Sequence, residues 1–170
     1  MNHLAVEMFD RQWFIHMSKA IVILYLGIMT FGFSKGQSYR RFGVDTTGGN
    51  IPKGLSINTI APDFKADNQD GNEIHLYDLL KRQKVILFFY RGNWCPFCNT
   101  YLQNMRDSLD FILDRGAAVI AVSPENPQNI DNTVKKYKPG FHIIHDYRNQ
   151  IMEEYDVLFD VTGFYQAKIR

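Results

Sequence analysis

Two cysteines three positions apart are the residues of this sequence best suited to chemistry. Cys95 and Cys98 are the only cysteines of the chain, and they lie in the segment Arg91-Gly92-Asn93-Trp94-Cys95-Pro96-Phe97-Cys98. Residues three apart on a helix are about one turn from each other, so the two sulfurs fall within reach of a disulfide bond. This spacing permits attack by one thiolate and displacement by the second, which is dithiol–disulfide chemistry.

A buried strand and a long helix are predicted to hold this pair. Residues 85–90 form a continuous apolar run, typical of a strand buried on both faces. Residues 99–115 are predicted to form one helix, because apolar residues recur at spacings of three and four: Leu102, Met105, Leu109 and Ile112. The cysteines then fall at the helix start, where unpaired backbone N–H groups and the helix dipole favour a thiolate.

Five further residues are candidates to support the cysteines. Trp94 and Phe97 are predicted to form an apolar rim for a partner's disulfide or an organic substrate, and Arg91 belongs to the same segment. Pro96 lacks an N–H group and so limits the number of donors that reach the sulfur. Glu125 follows the next predicted strand, and two roles are possible for it. It is either a proton acceptor for the cysteines or, as we favour, an acid at a helix start.

Other roles for the cysteines and for the histidines carry less weight. Two buried inert thiols or a purely structural disulfide are the alternatives, but a disulfide that closes so short a loop stabilises little. His142 and His145 lie three apart on a predicted strand and should point to opposite faces, so we expect no metal site. His75 is predicted to be a surface residue. No bound cofactor is expected.

The other segments predict an α/β fold. A hairpin is expected over residues 64–74 with Asp70-Gly71 as a two-residue turn, followed by a short helix or turn to Leu80. Strands are expected at residues 117–122 and 141–144, with a helix between them that starts at Asn126-Pro127 and a further helix at 150–158. Alternating strands and helices predict right-handed crossovers and a largely parallel sheet.

Composition and charge narrow the class of protein. The 170 residues are enough for one domain, and 45% hydrophobic with 22% charged residues indicates a globular chain rather than a disordered one. The formal net charge is +1, from 19 basic and 18 acidic residues. So balanced a charge gives no positive surface for a phosphate backbone, and nucleic acid is not expected as a partner.

The N-terminal segment is predicted to be a targeting signal. Residues 20–33 are uncharged and apolar, with Lys19 before them and the small residues Ser34, Gly36 and Ser38 after them. This pattern predicts a signal peptide over residues 1–36, with Met17 as an alternative start. Residues 37–55 are then a linker or lead-in. The expected location is exported, either periplasmic or secreted. The alternatives are a membrane anchor, if the segment is not cleaved, and a buried core helix.

Residues 55–161 resemble the peroxiredoxin-like branch of the alkyl hydroperoxide reductase/thiol-specific antioxidant (AhpC/TSA) family, within the thioredoxin-fold superfamily. The matching features are Ala-Pro-Asp-Phe at 61–64, Val-Ile-Leu-Phe-Phe-Tyr-Arg-Gly at 85–92, Trp-Cys-Pro-Phe-Cys at 94–98 and Ala-Val-Ser-Pro-Glu at 121–125. The resemblance implies a three-layer thioredoxin-like fold with an N-terminal hairpin. It also implies thiol-dependent redox chemistry. Together with the predicted signal peptide, this gives the expected function: an exported thiol oxidoreductase that reduces or exchanges disulfides, with a thioredoxin-like thiol electron donor. Hydroperoxides are a further candidate substrate.

The resemblance leaves two assignments for the first nucleophile. The thioredoxin pattern makes Cys95 the attacking sulfur, faster to alkylate than Cys98. The peroxiredoxin pattern places Cys98 at the peroxidatic position, but with Arg91 where that pattern has proline and Cys95 where it has threonine. These two departures favour dithiol–disulfide exchange over peroxide reduction.

The same resemblance implies a C-terminally truncated domain over residues 56–170. Thioredoxin folds continue with a cis-proline loop, a hairpin and a closing helix, whereas no proline follows Pro139 here. We expect the third strand to be left with an open edge and the fold to be marginally stable. The alternative function is therefore a non-catalytic, truncated thioredoxin-like module.

Overall fold

The computed structural model describes residues 43–45, 47 and 51–169. The predicted signal segment, residues 1–36, lies outside the described residues, so its cleavage and the export of the chain stay predictions. Among the described residues, no helix combines the length and the apolar character that crossing a membrane requires.

Five strands and six helices follow one another along the described chain. The first half contains β1 (Lys65–Asp67), β2 (Glu73–His75), α1 (Leu76–Leu80), β3 (Lys84–Phe89), α2 (Pro96–Asp107) and α3 (Leu109–Leu113). The second half contains β4 (Ala117–Ser123), α4 (Pro127–Tyr137), β5 (His142–His145), a 3-10 turn at Tyr147–Asn149, α5 (Gln150–Glu154) and α6 (Gly163–Ile169).

The central sheet is parallel and has the order β3-β4-β5. Its register aligns Phe89 with Val122, and Val122 with Ile144, near the carboxyl ends of the three strands. The loops that leave these strands therefore emerge on one edge of the sheet, where open α/β sheets place their ligands. The predicted α/β class and parallel sheet are confirmed.

Two apolar layers cover the two faces of this sheet. On one face, Leu102 of α2 and Ile130 of α4 pack with Val119, Ala121, Phe141 and Ile143. On the other, Leu76 and Ile151 from α1 and α5 pack with Phe64, Ile74, Ile120, Val122, Ile144 and Tyr155. The result is the predicted three-layer arrangement, because alternate residues of β4 and β5 serve opposite layers.

The N-terminal hairpin forms as predicted, but its turn is longer. β1 and β2 pair antiparallel, with Asp67 opposite Glu73. Gly71 N–H donates to the carbonyl of Asn68 at 3.0 Å, and Asn68 N–H to that of Asn72 at 2.9 Å. The loop thus has three residues, with Gly71 at φ 76° in the left-handed region. The predicted two-residue Asp70-Gly71 turn is wrong, because Asn68 Oδ1 also accepts the amides of Asp70 and Asn72 and favours the wider loop.

Among the described residues, the strand with an open edge is β3, the first strand of the central sheet, rather than β5, the last. Asn68 bridges Ile144, and Gln69 Oε1 accepts the amide of Ile143 at 2.7 Å, so the hairpin loop covers β5. Within the described residues, β3 pairs with β4 alone, and Ile86 is 37% exposed. The expectations of an open edge at the third strand and of a first strand buried on both faces are therefore wrong.

Helix bounds differ from the predictions in two places. The helix expected over 99–115 begins earlier, at Pro96, and is interrupted at Ser108, whose φ and ψ are −97° and 0°. The helix expected to reach Leu158 ends at Glu154. The helix start at Asn126-Pro127 is confirmed, with Asn126 Oδ1 accepting the amide of Asn129 at 2.9 Å.

Residues 43–45 lie against the end of the described chain. Val44 is buried and forms an antiparallel bridge with Val161. Asp45 N–H donates to the carbonyl of Asp160 at 2.7 Å, and Thr162 N–H to that of Gly43 at 2.9 Å. Part of the segment predicted as a lead-in therefore packs on the loop that precedes α6.

His75 links the hairpin to α1 through two carboxylates. Its Nε2 lies 2.6 Å from Asp63 Oδ2, and its Nδ1 lies 2.8 Å from Asp78 Oδ2. The hydrogen bonds to Asp63 and Asp78 raise the pKa of His75 above 6.5. Lys81 and His75 together lower the pKa of Asp78 to about 2. His75 is therefore a half-buried bridge between two carboxylates, a role that its prediction as a surface residue did not include.

This bridge predicts a pH-dependent stability. A raised histidine pKa contributes stability fully below pH 6.5, and the contribution is lost as pH rises through the folded-state pKa. A lowered carboxylate pKa adds stability above pH 3.8, which is lost as pH falls towards about 2. We expect His75→Asn to lower the melting temperature more at pH 5.5 than at pH 9.

Lys81→Met is the matched control, since it removes the other partner of Asp78 and leaves the His75 bridge in place. Its effect on the melting temperature should be nearly the same at the two pH values. An equal effect of His75→Asn at both pH values would show that His75 acts only through packing.

Candidate active site

Cys95 caps the N-terminus of α2. Its backbone is extended, with φ −96° and ψ 107°, and Pro96 is the first residue of the helix. The Cys98 amide donates to Cys95 Sγ at 3.4 Å. The sulfur thus occupies the place of a serine or aspartate oxygen at an N-cap, where negative charge is favoured. The predicted position of the cysteine pair at the helix start is confirmed.

Arg91 supplies a full positive charge to the same sulfur. Its Nη2 lies 3.0 Å from Cys95 Sγ. Desolvation opposes the charge of the guanidinium, but the hydrogen bond and the attraction to Cys95 outweigh it and raise the pKa of Arg91. A cation and a backbone N–H group therefore both stabilise negative charge on Cys95.

The two cysteines differ in exposure. Both are free thiols, Cys95 is 0% exposed and Cys98 is half-buried. Burial raises the pKa of Cys98, and its hydrogen bond to Cys95 raises it further. A hydrogen bond from Arg91 opposes this rise in the pKa of Cys98. Cys98 is thus the accessible member of the pair, and Cys95 the enclosed one. The prediction that Cys95 alkylates faster rests only on its position at the helix start. Because Cys95 is buried and Cys98 is partly exposed, access of a reagent favours Cys98 instead.

One peptide group fixes the loop that carries Arg91. The carbonyl of Gly92 accepts the Cys95 amide at 3.1 Å, and the N–H of Asn93, on the same peptide group, donates to Glu125 Oε2 at 2.8 Å. Asn99 Nδ2 holds the carbonyl of Asn93 at 2.8 Å. The loop is therefore held from α2 on one side and from the end of β4 on the other.

Glu125 faces the cysteine loop and not the amides of α4. It is 7% exposed, and burial raises the pKa of its carboxyl group. Oε1 has no hydrogen-bond partner among the described residues. His145 Nδ1 lies 2.6 Å from the main-chain oxygen of Glu125 and holds it from β5. The Glu125 carboxylate thus lies beside the cysteine loop. It does not have the position of an acid at the start of α4, the role that the sequence favours.

A cavity of about 720 Å³ opens between this loop and the C-terminal segment. Arg91, Glu125 and Asp160 provide its charged lining, and Trp94 and Met152 are among its apolar lining residues. Phe97, the other predicted rim residue, does not line this cavity and is 63% exposed. The predicted apolar rim is thus divided between the cavity and the outer surface of α2.

Two residues of the site were missed by sequence reasoning. Tyr90 is buried at the end of β3, and burial raises the pKa of its hydroxyl. Its position at the end of the apolar run was the available signal. Tyr165 of α6 lies against the site, its ring 5.7 Å from that of Trp94 and 5.4 Å from the Arg91 guanidinium carbon. No sequence pattern places α6 there.

The histidines of β5 have separate partners. His142 Nδ1 lies 3.1 Å from Asn68 Nδ2, whereas His145 binds the main chain of Glu125. No group of three or more histidine, cysteine, aspartate or glutamate residues in the described part of the chain is arranged to hold a metal ion.

The contact between Gly92 and Glu125 predicts a steric coupling. Gly92 has φ 146°, and a Cβ atom there would lie 2.5 Å from the Glu125 carboxyl group. We expect Gly92→Ala to destabilise the chain by about 2–4 kcal/mol, from backbone strain and overpacking. In a Glu125→Ala background the same change should cost roughly 1–3 kcal/mol less, since only the strain remains. Urea unfolding of the four proteins measures the difference, and equal costs in both backgrounds would contradict it.

Comparison with known proteins gives the family. The sequence profile of the AhpC/TSA family matches residues 57–168. The chain is 28% identical over 103 residues to peroxiredoxin Bcp of Escherichia coli, covering 61% of this chain and 65% of that protein. It is 31% identical over 120 residues to the chloroplastic peroxiredoxin Q of rice, covering 69% of this chain and 55% of that protein. The matches thus span less than two thirds of these relatives.

Solved structures agree with the fold. Peroxidoxin BcpB of Mycobacterium tuberculosis superposes with a TM-score of 0.56 at 19% identity, covering 66% of this chain and 71% of that one. The thioredoxin domain of a thiol-disulfide oxidoreductase from Bacteroides vulgatus gives 0.55 at 18% identity, covering 63% and 78%. The thioredoxin-like fold expected from the resemblance is confirmed, and the chain is a peroxiredoxin-like member of the AhpC/TSA family.

Proposed function

We propose that this chain is a thiol oxidoreductase whose Cys95 and Cys98 cycle between dithiol and disulfide. The contact of Arg91 Nη2 with Cys95 Sγ at 3.0 Å carries the proposal. It gives one sulfur of the pair a cationic partner, one helical turn from a second sulfur that is partly exposed. Inert cysteines need no such partner.

Cys98 is the sulfur that meets the substrate in this proposal. Cys95 is fully buried, and a macromolecular disulfide cannot approach it directly. The Cys98 thiol loses its proton to solvent, and the resulting Cys98 thiolate attacks the substrate disulfide. A mixed disulfide forms at Cys98, and one substrate sulfur leaves as a thiolate.

Resolution of the mixed disulfide follows within the pair. The released thiolate takes the proton from Cys95, and the Cys95 sulfur then attacks the sulfur of Cys98. The Cys95–Cys98 disulfide forms and the second substrate sulfur leaves as a thiolate. The two cysteine thiols have together given up two electrons, which have reduced the substrate disulfide to two thiols, and Arg91 balances the charge on Cys95 before the attack.

An external thiol must return the pair to the dithiol state, and a thioredoxin-like protein is our candidate donor. A hydroperoxide is the second candidate substrate, because the relatives include peroxiredoxins. The peroxiredoxin pattern, laid on this sequence, makes Cys98 the peroxidatic residue. In that case Cys98 attacks the terminal oxygen, an alcohol or water leaves, and Cys95 condenses with the sulfenic acid. Neither reaction requires a bound cofactor.

Single serine variants test the order of attack. With glutathione disulfide as the probe, Cys95→Ser should accumulate a stable mixed disulfide at Cys98, because its resolving sulfur is absent. Cys98→Ser should form the corresponding adduct at Cys95 at least about tenfold more slowly, as expected for an enclosed sulfur. Intact-mass spectrometry over a time course follows both adducts.

The wild-type chain is the control and should pass to an internal disulfide two mass units lighter than the dithiol. Faster trapping on Cys95 would overturn the order of attack but leave the dithiol cycle in place. Absence of both adducts and of the internal disulfide would overturn the cycle and support the alternative of a non-catalytic module.

A further inference from the structure

The C-terminal helix brings an aromatic ring to the cation that serves Cys95. The Arg91 guanidinium carbon lies 5.2 Å from the Trp94 ring centre and 5.4 Å from that of Tyr165. The two rings are 5.7 Å apart, at an interplanar angle of 47°. The cation therefore touches two aromatic rings at once, while one of its nitrogens reaches the sulfur.

We propose that Tyr165 is a positioning residue that holds the Arg91 guanidinium on the Cys95 sulfur. The inference rests on the proposed role of the cysteine pair. A guanidinium group donates hydrogen bonds in its plane and binds aromatic rings through its faces. The ring contacts and the hydrogen bond to the sulfur therefore do not compete for the same N–H donors. The two rings also exclude rotamers of Arg91 in which the guanidinium group would lie away from the sulfur.

The position of Tyr165 is itself fixed by a distant part of the chain. A Cβ atom at Gly43 would lie 2.4 Å from the Tyr165 ring, so the backbone there packs directly on the ring. Gly43 has φ 80°, which favours glycine. The bridge between Val44 and Val161 and the bond from Thr162 N–H to Gly43 hold the two segments together. The ring is thus held between residues 43–45 and the cysteine loop.

A second role for this ring would be to cover the buried sulfur. The two roles predict opposite changes in the reactivity of Cys95 when Tyr165 is replaced. If Tyr165 positions Arg91, its loss makes Cys95 less reactive, because negative charge on the sulfur loses its cation. If it only covers the site, its loss makes Cys95 more reactive, because reagents reach the sulfur more readily.

The experiment uses the full chain with Cys98→Ser, which leaves Cys95 as the one thiol. The rate of Cys95 alkylation by iodoacetamide is measured from pH 6 to pH 9.5, for Tyr165 and for Tyr165→Phe, Tyr165→Met and Tyr165→Leu. We expect Tyr165→Met and Tyr165→Leu to react about 2–5-fold more slowly at pH 7, the size of a cation–π contribution. The difference should close towards pH 9.5, where thiols ionise without help.

Tyr165→Phe keeps the ring and should stay close to the parent rate at every pH. Phe111→Leu is the matched control, because it removes another arginine–ring contact, that of Arg115 at 3.2 Å, from α3. Its alkylation rate should equal that of the parent. Circular dichroism shows whether each variant is folded, and Tyr165→Met preserves apolar volume if Tyr165→Leu does not fold.

Faster alkylation of Tyr165→Met at all pH values, or rates equal to those of Tyr165→Phe, would overturn the inference. Neither outcome bears on whether the cysteines cycle, which the serine variants decide by mixed-disulfide formation. A failed dithiol cycle with slow Tyr165→Met would instead leave Tyr165 as a positioning residue for an unused thiol.

Discussion

The contact between the Arg91 guanidinium and the Cys95 sulfur is the interaction on which the site depends. A buried sulfur at a helix N-cap can carry charge only if a cation or several donors reach it. Here the donors are Arg91 Nη2 and the Cys98 amide. Both are set by backbone geometry, the first by the loop after β3 and the second by the first turn of α2. The reactivity of the pair thus follows from where a strand ends and a helix begins.

The parallel sheet brings the supporting groups to this contact. Glu125 follows β4 and holds the Asn93 amide, and His145 at the end of β5 holds the main chain of Glu125. These residues are distant in sequence but adjacent in space because the carboxyl ends of parallel strands share one edge. Each of the three strands is therefore followed or ended by one residue that supports the site: Arg91 after β3, Glu125 after β4 and His145 at the end of β5.

Sequence patterns predicted the central elements well because their signals are local. The apolar run before Arg91, the cap at Asn126 and the cysteine spacing each define an element or a junction, and all three are found where expected. The predictions failed where contacts between residues distant in sequence determine the structure. The hairpin loop covers β5 through Gln69 and Asn68, which no local pattern reveals. The approach of Tyr165 to Arg91 is likewise a tertiary contact.

No local sequence pattern predicts how deeply each of the two cysteines is buried. Helix position alone favours Cys95 as the more reactive thiol, but exposure depends on what packs over it, and the structure encloses Cys95 and leaves Cys98 half-buried. Activation and access are therefore divided between the two sulfurs. In the proposed cycle the sulfur of Cys95 is paired with the Arg91 cation and the sulfur of Cys98 reaches the substrate, so the cycle requires both thiols and Arg91.

The most direct test of this division is the pH dependence of disulfide reduction by wild-type and Arg91→Gln proteins, with Arg91→Lys as the charge-conserving variant. If Arg91 supplies the charge that keeps the pair reactive, Arg91→Gln should be slow at pH 7 and approach the wild-type rate only well above the ordinary thiol pKa of about 8.5, because burial raises the pKa of Cys98. Arg91→Lys should lie between the two at pH 7. Equal rates of Arg91→Gln and wild type at pH 7, or a defect of the same size at every pH, would contradict the central role of the Arg91–Cys95 contact.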